Sequence, residues 1–385
     1  MVLIFVISGL ILLAGAVEWR SHQKHVDSLP VRVNINGIRG KSTVTRLVTA
    51  VLNEAGYKTV GKTTGTSARM MLWNQSEEEP IIRRAEGPNI NEQKMVVKKA
   101  SKMGAEALVS ECMAVNPDYQ EVFQKKLLQA NIGVIVNVLE DHMDVMGPTL
   151  HEIADAFTAT IPYNGYLIVS ESPYVDFFQN EAKKRNTKMI VAENHKVEEA
   201  YLRKFDYMLF PENVALALAV AKVVGIEKEV ALRGMLEANP DPGAMRIKEV
   251  QKEEKTAQFV NGFAANDPVS TINIWKNVVQ QGYPAERLIV LMNCRDDRVD
   301  RTIQFSEDVL PYLPIATLVL IGTRTEPVKE AVRAGRIQVN QVIDMQGEKT
   351  EAIYEQLLEL ADNNIIYGIG NVHGAADPLI DKFQN

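Results

Sequence analysis

Val31 to Arg46 reads VRVNINGIRGKSTVTR, and this stretch decides the fold. Val31, Val33 and Ile35 alternate with polar residues as in a strand, and Gly37-Ile-Arg-Gly40-Lys41-Ser42 follows at once. Val44, Leu47, Val48, Val51 and Leu52 then share one helical face, and Gly56 stands where that helix should stop. A glycine-rich turn between strand and helix lets the backbone close around phosphate oxygens, while the free N–H groups of the helix start point at the same anion. Lys41 is placed to reach the outer phosphates, and the Ser42 hydroxyl to take a position on Mg²⁺. Such a Gly-x-x-Gly-Lys-[Ser/Thr] string arises by chance in roughly one chain in a hundred of this length. Its setting between strand and helix therefore points to nucleoside triphosphate binding.

Other segments deliver polar groups to strand ends, where ligands gather in open α/β sheets. Ala107-Leu-Val-Ser-Glu111-Cys112 ends in a carboxylate that suits Mg²⁺ opposite Ser42, or a plain surface position. The buried strand that starts at Ile132 leads through Asn137 to Asp141, His142 and Asp144, a strand-Asn-x-x-x-Asp-His-x-Asp pattern whose acids and histidine are equally readable as a helix-starting cluster. Gly61-Lys-Thr-Thr64-Gly65-Thr66 reads as a polar loop facing the phosphate cleft, or as a glycine turn. Glu212-Asn213 opens an alanine-rich helix, and capping alone accounts for an Asn there. Ser76-Glu-Glu-Glu79-Pro80 reads as a solvated loop, and Gly87-Pro-Asn89-Ile-Asn-Glu92 as a helix start with an Asn cap.

The loop departs from the standard P-loop, because only two residues separate its glycines and Ile35 stands at the usual first-glycine position. In this it resembles the ATP loop of the Mur ligases and folylpolyglutamate synthetases, which make amide bonds through acyl phosphates. The resemblance implies a nucleotide-binding set of Gly37, Gly40, Lys41, Ser42 and Thr43, with Asn213 near the base. It implies catalytic roles for Lys41, Glu111 and His142, and Mg²⁺ on Ser42, Thr64, Glu111 and His142, the histidine serving a second ion. Thr66 is a weaker candidate of the same loop. Farther along, Asn266 in NGFAANDP, Arg295 and Asp297 in NCRDDR, and Arg246 correspond to groups that approach ATP when the domains close. Ordinary solvated turns remain the alternative for each of these.

Two departures from the Mur pattern matter. The thirty residues before Val31 leave no room for a domain that binds a uridine nucleotide, so a peptidoglycan precursor is not the expected acceptor. Where many relatives carry a carbamoylated lysine, this chain reads Ala156-Phe-Thr-Ala-Thr160, so a second metal site must be built differently or be weaker.

Asn239-Pro-Asp-Pro-Gly243 reads as an interdomain hinge that would let two domains close over a water-sensitive acyl phosphate. Beyond it, strands are expected at residues 258–263, 288–293, 316–321 and 365–369. Helices are expected at 268–281, 305–310, 327–334 and 351–362. The expected class is α/β: a Mur ligase-like P-loop central domain with a parallel-rich sheet (30–240) and a C-terminal Rossmann-like domain (244–385), preceded by a hydrophobic helix (1–19).

Val2 to Val17 carries no charge, and Arg20, His22, Lys24 and His25 follow quickly. Sixteen residues at ~1.5 Å each give about 24 Å, near the lower limit for crossing a bilayer. The basic flank would keep the following domains on the cytoplasmic side of the cell membrane. A signal peptide cut after Ala14-Gly-Ala16 lacks the basic region it needs in front, and a buried amphipathic helix stays open as an alternative, although the run is apolar on every face.

A membrane-tethered, Mur-like ATPase resembles the PgsB/CapB family of poly-γ-glutamate synthases, on VNINGIRGKSTVTR, GKTTGT, LVSECMAVNPDYQ and NVLEDHMDVMGPT. That resemblance implies phosphorylation of a polymer carboxylate by ATP with Mg²⁺, attack by a glutamate amine, and release of ADP and phosphate. It implies glutamate and the growing γ-linked polyglutamate as substrates, with PgsC/CapC-type and PgsA/CapA-type membrane partners; a homo-oligomer stays open. A net charge of −7 without a basic cluster beyond the juxtamembrane residues argues against nucleic acid. Cys112 and Cys294 are too few for a disulfide framework, and no histidine signature makes Cys112 a nucleophile. Two other readings stay open. A folylpolyglutamate synthetase-like ligase conflicts with the anchor, and a membrane-anchored P-loop switch lacks the guanine-reading Asn-Lys-x-Asp segment.

Overall fold

The computed structural model describes residues 2–65, 68–83, 89, 91–205, 207–241, 246–263, 265 and 267–384. The chain divides into two compact units, Met1–Val197 with Phe210–Pro242, and Glu198–Leu209 with Gly243–Asn385. Residues Glu198–Leu209 thus group with the second unit, where Arg203 Nε donates to the Gln281 carbonyl at 2.6 Å.

The first unit is built on eight strands: β1 (Val31–Asn36), β2 (Thr59–Lys62), β3 (Arg69–Leu72), β4 (Glu79–Pro80), β5 (Ala107–Glu111), β6 (Ile132–Ile135), β7 (Tyr166–Ser170) and β8 (Lys188–Ala192). Their order is β4-β3-β2-β5-β1-β6-β7-β8, parallel from β2 to β8 with an antiparallel β3–β4 edge. The central strands are buried on both faces, which is why β5 and β6 read as nearly continuous apolar runs. Register does the positioning: Ile35 pairs with Glu111 and Asn36 with Ile135, so β1, β5 and β6 end level with one another.

Helix α2 (Lys41–Glu54) leaves the loop after β1 and buries Val44, Leu47, Val48, Val51 and Leu52 completely. It stops as expected: Gly56 adopts φ +89°, its N–H reaches the Asn53 carbonyl, and the Tyr57 N–H reaches back to Leu52. Helix α1 (Val2–Asp27) runs well past Trp19. Its first sixteen residues are exposed, while His22 and Val26 are buried against the domain. His22 and His25 are therefore not free members of a basic flank. The His22 ring Nε2 lies 2.9 Å from the Leu127 carbonyl and the His25 Nδ1 lies 3.0 Å from Ser101 Oγ. Helix α3 (Asn91–Lys102) packs beside α1, and Asn89 Oδ1 accepts from the Asn91 N–H, as the cap expectation required. The segment read as a solvated loop is structured instead. Glu79 and Pro80 form β4, and Glu78 pairs with the buried Arg46 of α2, which also holds Asp241 at 3.1 Å.

The second unit has six strands: β9 (Ile247–Lys252), β10 (Lys255–Asn261), β11 (Leu288–Cys294), β12 (Ile315–Gly322), β13 (Gln341–Asp344) and β14 (Asn364–Gly370). They lie in the order β13-β12-β11-β14-β10-β9, parallel except for the antiparallel β9. Strands β9 and β13 were not expected. Both lie at edges of the sheet, where charged and polar residues such as those of IKEVQK replace the apolar run of an inner strand. The helix expected at 305–310 spans Val299–Asp308; it buries only Phe305, Thr302 and Ser306, too thin an apolar stripe to mark its start.

Leu47 lies on α2 and is fully enclosed. Leu47→Ala should therefore lower the stability of the first unit by about 2–5 kcal/mol, read from urea unfolding followed through Trp73 fluorescence; a loss below that range means the cavity collapses or the packing is looser.

Candidate active site

The loop after β1 is held from below by two asparagines. Asn36 is buried; its Oδ1 accepts from the Gly37 N–H at 2.9 Å, and its Nδ2 donates to Gln120 Oε1 at 2.8 Å and Thr160 Oγ1 at 3.3 Å. Asn137, from the segment after β6, grips the loop's middle. Its Oδ1 accepts from the N–H groups of Ile38 (3.1 Å) and Arg39 (3.0 Å), and its Nδ2 donates to the Arg39 carbonyl (3.0 Å). Asn36 was not singled out from the sequence, and Asn137 stood in the Asp141-His142 pattern without a role of its own, although both stand where a strand end turns polar.

Gly40 is the N-cap of α2 with φ +84°, a left-handed conformation that favours glycine. A Cβ there would also meet Asn213 Oδ1 at 3.0 Å. Asn213 is thus not a helix cap: Phe210 takes that place, and Asn213, nearly buried, lies against the loop's last glycine. No side chain caps α2 and no acid sits in its first turn, so its positive end is open to an anion. Ser42 and Thr43 belong to that turn and are half-buried. Lys41 Nζ meanwhile donates to the loop's own carbonyls, Gly37 at 2.8 Å and Ile38 at 3.0 Å.

Glu111 gathers the next layer. Its carboxylate, only 3% exposed, accepts from Ser42 Oγ (2.8 Å), the Thr64 N–H (2.8 Å) and Thr64 Oγ1 (2.5 Å). Three of the four metal candidates are therefore in direct contact. The fourth, His142, lines the same cleft of about 800 Å³ with Lys41, Thr64 and Glu111, but its ring is exposed and its nearest ion-pair partner is Asp141, 3.8 Å away. Two hydroxyls and one carboxylate form an all-oxygen set that fits Mg²⁺, which keeps waters and takes substrate oxygens. Among the described residues no three His, Cys, Asp or Glu converge to make a fuller cage. Thr66 lies outside the described residues.

Beneath Glu111 lies a group that the sequence did not flag. Lys62 is wholly buried, and its Nζ has no hydrogen-bond partner; Glu92 Oε2 is 3.9 Å away, and Arg83 Nε donates to Glu92 Oε1 at 3.0 Å. Burial pushes the Lys62 amine down from its usual 10.5 to about 8, against the pull of Glu92 and Glu111. Burial pushes the Cys112 thiol up to about 12, so it is an inert core group.

In the second unit, the candidates lie at the carboxyl ends of the strands. The Arg246 carbonyl accepts from the Asn261 N–H at 3.4 Å, at the end of β10. Arg295 forks onto Asp297, Nε to Oδ1 at 2.8 Å and Nη2 to Oδ2 at 2.6 Å, which holds the Asp297 carboxyl below the usual range. Its charge is thus engaged by a neighbour two residues on. Asn266 lies outside the described residues.

Two outcomes follow from these contacts. Asn137→Ala frees the Ile38 and Arg39 N–H groups and should weaken Mg·ATP binding about tenfold, the equivalent of ~1.4 kcal/mol, by titration calorimetry; unchanged affinity would mean that the loop holds its shape alone. Lys62 binds its proton more weakly folded than unfolded, so the unfolded chain carries more protons between about pH 8 and 10.5 and stability rises with pH across that window. The shift from 10.5 to about 8 is worth roughly 3 kcal/mol. The wild-type stability minus that of Lys62→Met should climb by an amount of that order from pH 8 to 10.5; a flat difference would place the lysine's charge in water.

Residues 35–238 match the Mur ligase middle domain, and residues 247–385 match the poly-gamma-glutamate synthase CapB C-terminal domain. The chain is 60% identical to the PGA synthase CapB of Bacillus subtilis, over 99% of this chain and 97% of that one. It is 59% identical to the capsule biosynthesis protein CapB of Bacillus anthracis, over 97% of this chain and 81% of that one. Among solved structures, a bifunctional folylpolyglutamate synthase/dihydrofolate synthase of Yersinia pestis, complexed with AMPPNP and a manganese ion, shares the fold. It has a TM-score of 0.59 at 14% identity and covers 94% of this chain and 91% of that chain. With near full-length identity of this order and both halves matched in sequence, the chain belongs to the CapB family of poly-γ-glutamate synthases, built on a Mur ligase-like α/β fold.

Proposed function

We propose that this protein is an ATP-dependent amide ligase that extends poly-γ-glutamate for a capsule or secreted polymer. The observation that carries the reading is the uncapped start of α2 beside Glu111, Ser42 and Thr64, in a chain of this family. The N–H groups of Lys41, Ser42 and Thr43 take phosphate oxygens of ATP. Lys41 leaves the Gly37 and Ile38 carbonyls for the outer phosphates, where its charge counts most as the phosphoryl group transfers. Ser42, Thr64 and Glu111 would hold Mg²⁺ through their oxygens, and the ion when bound would neutralise phosphate charge. His142 faces the same cleft and would serve a second ion or the acceptor carboxylate.

The terminal carboxylate of the polymer attacks the γ-phosphorus, and ADP departs. A glutamate amine then attacks the acyl carbon, phosphate leaves, and the amine's proton passes to solvent. Asn213 beside Gly40, and Arg246, Asn266, Arg295 and Asp297 of the second unit, are our candidates for further nucleotide contacts. In domain terms we take residues 30–240 as the ATPase part and 244–385 as the ligase part.

We place the protein at the cell membrane with both units in the cytoplasm, where ATP is. Helix α1 is long and apolar enough to cross a bilayer, and its apolar window is unburied. PgsC/CapC-type and PgsA/CapA-type membrane proteins are the partners we expect for export.

The test is chemical. Purified protein should hydrolyse ATP to ADP and phosphate in response to glutamate or γ-linked oligomers, and a pterin should not replace them. With ¹⁸O in the acceptor carboxylate, label should appear in the phosphate released. Lys41→Ala should cut turnover by about a thousandfold or more. AMP and pyrophosphate as products, or unlabelled phosphate during amide synthesis, would refute the mechanism; stimulation by a pterylglutamate alone would favour a folylpolyglutamate synthetase.

A further inference from the structure

The last turns of α1 do not hang free of the first unit. Glu18 pairs with Lys94 of α3 at 2.7 Å, and His25 meets Ser101 at 3.0 Å, so α1 and α3 run in the same direction. On the other flank, Lys126 sits over the Trp19 ring at 5.5 Å, and Gln23 bonds Gln129. Helix α3 therefore begins near the level where the apolar part of α1 ends, and the helical stretch 117–128 meets that level at Lys126. That level carries exposed Arg20, Lys98 and Lys126, from three separate stretches of sequence. The carboxylates of Glu18 and Glu121 are closed by Lys94 and Lys125. Exposed Met95, Tyr119 and Val122 sit among these charges. Between α1 and α3 runs a groove of about 650 Å³, lined at one end by Leu10, Leu13 and Val17 and at the other by Lys94 and Lys98.

We propose that this collar binds the phosphate headgroups of anionic lipids and seats the first unit against the bilayer surface, with an acyl chain lying in the groove along α1. This rests on α1 as a membrane helix. The groove is apolar along the unburied stretch of α1, and where that stretch ends it is lined by Lys98 beside the Lys94–Glu18 pair, a net positive end that suits an anionic amphiphile. Exposed apolar residues beside lysines suit the headgroup region, where Trp19 also belongs. The sequence offers only the basic residues that follow the apolar stretch of α1. Packing adds Lys98 and Lys126, which are distant in sequence, and so converts a short flank into a surface.

Full-length protein in nanodiscs of phosphatidylcholine, with or without phosphatidylglycerol, tests the proposal by amide hydrogen exchange. Residues 91–98 and 119–126 should exchange several-fold more slowly in the anionic discs, and raising the salt to where screening lengths fall to ~3–4 Å should erase the difference. Arg20→Gln with Lys98→Gln and Lys126→Gln should abolish the lipid dependence while ATP turnover and thermal stability stay at wild type. Equal exchange in both discs overturns the proposal, as does equal protection by inorganic phosphate in detergent, which would mark an isolated anion site. Failure to enter discs of either kind would instead refute the membrane helix itself.

Discussion

The buried carboxylate of Glu111 is the constraint on which the first unit's site depends. A charge taken from water at the end of a central strand must be met by donors, or it costs more than the fold can spare. Here the donors come from two other elements, Ser42 at the start of α2 and Thr64 in the loop after β2. They arrive because β1 and β2 flank β5 in parallel, with Ile35 and Lys62 in register with Glu111 and Ser110. Satisfying one carboxylate therefore fixes two loops at once, and the hydroxyls that satisfy it are the oxygens a hard cation would want. The same contact that stabilises the free protein keeps the donor set assembled.

A second tier keeps those loops from drifting. Asn34 and Asn36 point from β1 into the neighbouring helical layer, where Gln124 and Gln120 meet them amide to amide at 3.1 and 2.8 Å. Buried amides demand partners, so this ladder specifies how the helical segment lies on the sheet. Asn36 extends the ladder to Gly37, and Asn137 clamps Ile38 and Arg39. The loop's shape thus depends on side chains from the β6 region as much as on its own glycines. Below Glu111 the arrangement is less comfortable. Lys62 is enclosed without a hydrogen bond, opposite Glu92, and the Glu92–Arg83 pair carries the local balance to the cleft wall.

The second unit solves a similar problem by different means. Its strand ends are joined by Asn293, whose Nδ2 reaches the carbonyls of Asn371 at 2.6 Å and His373 at 3.0 Å. Tyr367, fully enclosed in β14, places its hydroxyl on the Thr271 carbonyl of the helix Pro268–Gln280. These bonds make the carboxyl edge of that sheet rigid, while Arg295 and Asp297 satisfy one another at its surface.

The sequence by itself determined the P-loop, the helix it feeds, the α/β class and the apolar stretch of α1, because each is written in local periodicity and in glycine and lysine spacing. It also pointed to Ser42 through the P-loop spacing, to Glu111 at the end of an apolar run, and to Thr64 through a polar loop between glycines and the family resemblance. Only the tertiary structure decided that these three touch, that Asn213 lies against Gly40 instead of capping its helix, and that Arg295 is already paired. It alone disclosed that Asn137 clamps the loop, that Lys62 is enclosed opposite Glu92, and that the members of the cationic collar, far apart in the chain, come together. The physical reason is the same in each case. Backbone propensity acts over a few residues, whereas burial and hydrogen-bond pairing depend on which strand lies beside which, and that register is set by the whole sheet.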